Sequence, residues 1–267
     1  MLEIFQYSFM VRAFAAGTVI GVLAPCIGTF LVARRYSLIA DSLSHISLAG
    51  VAIGLLVGIY PVYTALATTI IAALLIEQLR TGKYVSGESA LAIFLSGGLA
   101  IAITLIGLAN GFTVNLFSYL FGSITTVQSL DVWMIGFLGV VVGGFVLLCY
   151  KELFFISFDE EVAIVQGIPV KTLNILLMIM TACTVALSMR IVGALLVGAL
   201  MVIPVVAAMQ IARSFRATVV LGVAIGFVCV WAGLFAAYYL NIPAGGAIVL
   251  ASLACLCVSF VLRRFHT

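Results

Sequence analysis

Two side chains able to hold a metal ion or pass a proton stand four residues apart in the stretch DSLSHISLAG: Asp41 and His45. Helical geometry puts positions i and i+4 on one face, so the carboxylate and the imidazole lie side by side. That pairing offers two good ligands to a divalent transition metal. The only other histidine is His266, at the end of the chain. The surrounding stretch is apolar, and a helix beginning near Ser37 would place Asp41 about 6 Å and His45 about 12 Å along its axis. An ionised group at the centre of a membrane span costs about 2.5–3.5 kcal/mol, so such residues face a bundle interior or a cavity and carry function. On the residues alone, three readings stay open: a structural bond between the two side chains, a proton relay, and a metal site. For a metal the pair is incomplete. Two copies related by a twofold axis near this helix would supply four ligands, enough for tetrahedral zinc. An incomplete set also suits transit, because a conducted ion must leave again.

The elements that position this pair follow from composition. The chain has 267 residues, 65% hydrophobic and 8% charged, against about a quarter charged in soluble domains. It reads as an all-α integral membrane protein in one domain, 1–267. The 12 Lys and Arg give a net charge of +3 without forming a basic tract, so no nucleic-acid partner is implied and membrane lipid is the expected surrounding. The six cysteines sit in apolar runs without C-x-x-C spacing and read as small buried hydrophobes.

Spans of about 20 apolar residues are expected near 13–33, 37–59, 61–79, 89–109, 131–150, 173–189, 191–212, 217–240 and 246–262, giving eight or nine helices. Arg34 and Arg35, Arg80 and Lys83, Lys151 and Lys171, Arg213 and Arg216, and Arg263 and Arg264 fall at alternate ends of nine runs. Because basic loops stay in the cytoplasm, the N-terminus is expected outside and the C-terminus inside, with Arg12 and Arg190 as exceptions. The mixed segment 110–131 is placed outside. Gly50, Gly54 and Gly58, and Gly222 with Gly226, form stripes suited to close helix packing.

Between Lys151 and Lys171 the sequence KELFFISFDEEVAIVQGIPVK is too short and too acidic to cross. Ser157 and Glu160 have capping-box spacing, Asp159, Glu160 and Glu161 suit a helix N-terminus, and Gly167 and Pro169 stop it. A helix of about two turns would either cap the bundle or plug a groove on a soluble partner. The only G-K dipeptide, Gly82-Lys83, has Glu77 where a P-loop needs glycine, so the chain is expected to hydrolyse no ATP itself and to be no enzyme.

The runs GTFLVARRYSLIADSLSHISLAGVAIG, FSYLFGSI, FDEEVAIVQGI and IVGALLVGALMVIPVVAA resemble, in order and spacing, the membrane permeases of bacterial zinc and manganese ABC importers, nearer the zinc branch. The resemblance implies a homodimer in the bacterial plasma membrane, two cytoplasmic ATPase subunits that consume the ATP, and an extracytoplasmic metal-binding protein. It implies no permanently bound cofactor and a transported zinc ion, with manganese as the second cargo. By that likeness Asp41 and His45 are metal-path residues, and 158–167, with Phe158, Asp159, Glu160, Glu161 and Gly167, is the helix that couples to the ATPase. The competing expectation is a secondary cation transporter or channel that needs no ATPase and uses Asp41 and His45 as a relay.

Overall fold

The computed structural model describes residues 2–82, 85–108 and 116–264; His266 and residues 110–115 of the outer segment lie outside the described residues. A short 3-10 turn, Leu2–Gln6, leads into α1 (Ser8–Ala33), α2 (Ile39–Val57), α3 (Pro61–Thr81), α4 (Gly87–Leu108) and a small α5 (Leu116–Phe121). There follow α6 (Ser129–Leu148), α7 (Tyr150–Phe158), α8 (Glu160–Val165), α9 (Val170–Val192), α10 (Val197–Ile211), α11 (Phe215–Leu240) and α12 (Ala244–Arg264). The all-α expectation holds. Eight of these helices, α1, α2, α3, α4, α6, α9, α11 and α12, are long and apolar enough to span a bilayer. The remaining run, 191–212, survives as α10, but its 15 residues reach only about 22 Å.

Side-chain contacts define the two ends of the bundle. At one, Arg34 after α1, Arg80 of α3, Glu160 of α8 and Asn174 of α9 meet. Phe30, Tyr150, Phe154, Phe158 and Phe215 form an aromatic cluster there that joins α1, α7 and the start of α11. This is the basic end. At the other, Arg190 of α9 meets Asp131 of α6, Tyr119 of α5 and the link between α2 and α3.

Without a hydrophobic drive between helices in lipid, close contact depends on small residues, and the glycine stripe of α2 supplies it. A Cβ on Gly50 would overlap Thr68 Oγ1, and one on Gly54 would lie 2.9 Å from Pro61 Cα, so both glycines pack against α3. Gly58 does not pack; it ends α2 in the left-handed conformation. On α11, Gly226 fits against Gly21 and Pro25 of α1, whereas Gly222 is loosely surrounded.

The α2 start differs from expectation. The Tyr36 N–H donates to Leu31 O (2.8 Å) and that of Arg35 to Val32 O (3.0 Å), with Arg35 at φ 61°. This is a Schellman stop with arginine at the position glycine usually fills. The chain therefore turns over residues 34–38, and α2 begins at Ile39.

Candidate functional site

Because α2 begins at Ile39, Asp41 sits in its first turn and His45 one turn further in. Helical spacing puts both on one face, and each is half-buried in the protomer. Leu43, between them on the opposite face, is fully buried, as is Ile39, so the body of the bundle holds α2 in a fixed rotation. Ser42 pins it to α4 by donating to Leu91 O (2.9 Å), and Gly98 of α4 packs against the His45 and Ile46 backbone. Ser47 reaches Met189 Sδ of α9 at 3.7 Å. The Nδ1 atom of His45 is enclosed yet has no hydrogen-bond partner among the described residues. Among the described residues none donates a hydrogen bond to the Asp41 carboxylate, whose backbone oxygen instead accepts from Ser44 (2.8 Å).

A break in the helical ladder faces this pair. After α9, Gly193 takes φ 90° and residues 193–196 run non-helically before α10 starts at Val197. Irregular backbone at membrane depth must find partners inside the protein. Here the Ala194 and Leu195 N–H groups donate to Tyr119 O (2.8 Å) and Leu120 O (3.2 Å), at the end of α5. A Cβ on Gly193 would lie 2.5 Å from Gly122 N. The Asp41 carboxylate packs directly on Gly198, in the first turn of α10, where a Cβ would overlap Asp41 Oδ1. The positive end of a broken helix thus faces an anionic side chain inside the bundle. Among the described residues no three His, Cys, Asp or Glu side chains gather as a metal cluster, so one copy offers a pair of ligands only.

At the basic end, the short helix lies where the sequence placed it, with a different cap. Ser157 belongs to α7 and donates to Leu153 O (2.7 Å). Asp159 is the cap of α8: its carboxylate accepts from the Glu161 and Val162 N–H groups at 3.1 and 3.0 Å. The expected Ser157–Glu160 capping box is therefore incorrect, because α7 runs on through Phe158 and leaves Asp159 as the first non-helical residue. Gly167, at φ 80°, completes the stop, and the helix has six residues, under two turns. Ala163 is buried against Ile156, Val170 and Leu173. Phe158 and Val165 are 68% and 87% exposed, and Glu161 is also exposed. Replacing Asp159 with alanine leaves two amides uncapped, a cost of about 1 kcal/mol. Hydrogen exchange of the Glu161 and Val162 amides should then quicken about fivefold; an unchanged rate would show that Asp159 does not hold the helix.

Sequence reading left Arg190 without a role, and the structure supplies one. Its side chain is buried, donates to Asp131 Oδ2 at 2.7 Å and to Thr126 O at 3.0 Å, and lies over the rings of Tyr60 and Tyr119. Tyr60 donates to Asp131 Oδ1 (2.9 Å). Burial, followed by the bond to Asp131, pushes the Tyr60 phenol above its ordinary range and keeps it protonated as a donor. The partners come from Tyr60, Tyr119 and residues 126–131, all far from Arg190 in sequence, so no local spacing signals the cluster.

The family model described as the ABC 3 transport family matches residues 6–263. The chain belongs to the ABC 3 transport family. The resemblance to metal-importer permeases read from its motifs is borne out, and so is its reading as a multi-pass membrane permease, while relatives named for both metals leave its placing nearer the zinc branch undecided. It is 33% identical over 255 residues to the manganese import system permease protein ScaB of Streptococcus parasanguinis, covering 96% of this chain and 91% of that one. It is 29% identical over 247 residues to the high-affinity zinc uptake system membrane protein ZnuB of Haemophilus influenzae, covering 92% and 95%. Its fold superposes with a TM-score of 0.85 on the structure of PsaBC from Streptococcus pneumoniae in complex with Fab, at 30% identity, with 97% of this chain and 92% of that chain covered.

Proposed function

We propose that this ABC 3 permease carries a divalent transition metal into the cytoplasm, powered by separate ATPase subunits and fed by an extracytoplasmic metal-binding protein. Asp41 and His45 form half of the metal path, and a second copy of the chain supplies the other half. The observation that carries the reading is the His45 side chain: half-buried on a membrane helix, with an enclosed ring nitrogen lacking any partner. A carboxylate and an imidazole cannot face lipid cheaply, so this face of α2 is covered by a second copy. The basic end lies in the cytoplasm, by the distribution of Arg34, Arg35, Lys151, Lys171, Arg213, Arg216, Arg263 and Arg264. The exposed side of α8, with Glu161 and Val165, together with Phe158 at the end of α7 and the cap at Asp159, then faces the ATPase. Movement of that helix opens the path to one side at a time.

Relatives named for manganese and for zinc are both similar to this chain. The imidazole favours zinc, which stands above manganese in affinity for nitrogen donors, and competition between the two ions during uptake separates them. The test of the whole reading is uptake into liposomes by the purified permease, alone and with its ATPase and ATP. Uptake only with both is expected; equal uptake by the permease alone would restore the secondary-transporter reading. Gly198 gives a sharper variant. Gly198→Ala pushes the Asp41 carboxylate from its seat, and since a 1 Å misplacement can cost about a hundredfold, metal uptake should fall at least about tenfold while the complex still assembles. Wild-type uptake would mean that the position of Asp41 is unimportant.

A further inference from the structure

One chain of side chains connects the proposed ATPase-facing helix to the helix carrying Asp41 and His45. Glu160, the first residue of α8, turns away from the exposed face and into the body. Its Oε2 lies 3.4 Å from Arg34 Nη2 and 3.7 Å from Arg80 Nη1, and its Oε1 accepts from Asn174 Nδ2 at 3.0 Å. Both arginines grip the same residue: the Arg34 and Arg80 guanidiniums stand 5.3 and 5.0 Å from the centre of the Tyr36 ring, and Arg80 also bonds the Tyr36 hydroxyl. Arg80 is fixed in turn by a two-pronged bond to Glu77 at 2.8 and 3.0 Å. Tyr36 is part of the stiff turn before α2. Its N–H closes the end of α1, and its carbonyl accepts from Ile39 N at 3.1 Å, at the start of α2. Asp41 follows two residues later.

We propose that Glu160 is a positioning residue for transport: through Arg34, Arg80 and Tyr36 it delivers displacement of α8 to the first turn of α2, and so to Asp41 and His45. This rests on the reading of α8 as the ATPase-facing helix. The geometry suits a link that is made and released in each cycle. The Glu160 contacts are longer than the roughly 2.7–2.9 Å of a tight charged bond, and its side chain is 37% exposed. The Arg34 side chain is only 4% exposed and its Nη1 has no partner. Moving Glu160 therefore leaves a buried cation short of its counter-charge, which gives the movement a consequence inside the body. At the opposite end of α2, Tyr60 sits in the Arg190–Asp131 cluster, whose 2.7 Å pair is almost fully enclosed. That clasp is built to stay closed.

The test uses the full transporter, permease with ATPase and binding protein, in proteoliposomes, measuring ATP hydrolysis and metal uptake together. Glu160→Gln keeps size and the bond to Asn174 but removes the charge; Tyr36→Ala breaks the link at its other end, away from α8. Both should co-purify with the ATPase and hydrolyse ATP, while metal imported per ATP falls by about tenfold, within the usual range of coupling between sites. Glu88→Gln, an exposed carboxylate at the start of α4, should leave the ratio unchanged. An unaltered ratio in Glu160→Gln, or loss of ATPase binding in that variant, would overturn the proposal. The underlying reading fails separately: Val165→Lys that binds the ATPase normally would remove α8 as its docking helix, whatever Glu160 does.

Discussion

Asp131→Ala is expected to cost the folded permease about 3–5 kcal/mol, the usual result of stripping one partner from a buried ion pair. The pair is short, at 2.7 Å, with side chains 8% and 3% exposed. Removing the carboxylate leaves the Arg190 guanidinium enclosed among Tyr60, Tyr119 and Thr126, with no second anion in contact among the described residues. Its Nε already lacks a partner. Tyr60 would lose one of its two acceptors, keeping only Gln128 Oε1 at 3.1 Å. The measurement is the temperature at which the detergent-purified protein loses its monodisperse form. The paired variant Asp131→Leu with Arg190→Met should recover most of the loss, since a matched apolar pair is often as stable as the ions it replaces. A single variant as stable as the parent would mean that water reaches the cluster and that the segment around α5 is held by other contacts.

Loss of transport in His45→Ala and Asp41→Ala is the second large effect. Even residues that only support a metal ligand change affinity by about 10–100-fold, so removing a ligand should lower uptake by at least about a hundredfold. Among the described residues neither side chain is bonded to the body: His45 Nδ1 has no partner and no donor reaches the Asp41 carboxylate. Both variants should therefore insert, dimerise and bind the ATPase normally. Uptake of radioactive zinc at the parent rate in both would remove the pair from the path. A variant that fails to assemble would instead make the pair a structural bond, the reading that the residues alone left open.

The pair was legible because helical spacing depends on two residue types and a count of four, whatever surrounds them. Its depth was not. The apolar run to 33 marked the end of α1, but the Schellman stop uses Arg35 in place of glycine, so nothing in the sequence marked the length of the turn, and α2 was expected two residues too early. The same loss of signal hid the start of α10. Residues 193–196 are as apolar as the helices beside them, and their non-helical course is stabilised by carbonyls of α5, which hydropathy cannot register. The short basic-end helix was legible from its acids and Gly167. Its cap was misread because Ser157 and Asp159 both precede acidic residues, and only the continuation of α7 decides between them. Arg190 and Glu160 depend on partners far away in sequence, at separations of 59 and 126 residues for their ion pairs. No periodicity carries such pairings.

The central claim is that one copy holds half a metal site and two copies complete it. The most direct test is metal binding to the permease assembled with its ATPase, reading bound ions per chain together with imidazole scattering in the X-ray absorption spectrum. The account predicts one ion for every two chains, two imidazole nitrogens on that ion, and loss of both signals in His45→Ala. One ion per chain, or unchanged binding after His45→Ala, would contradict it.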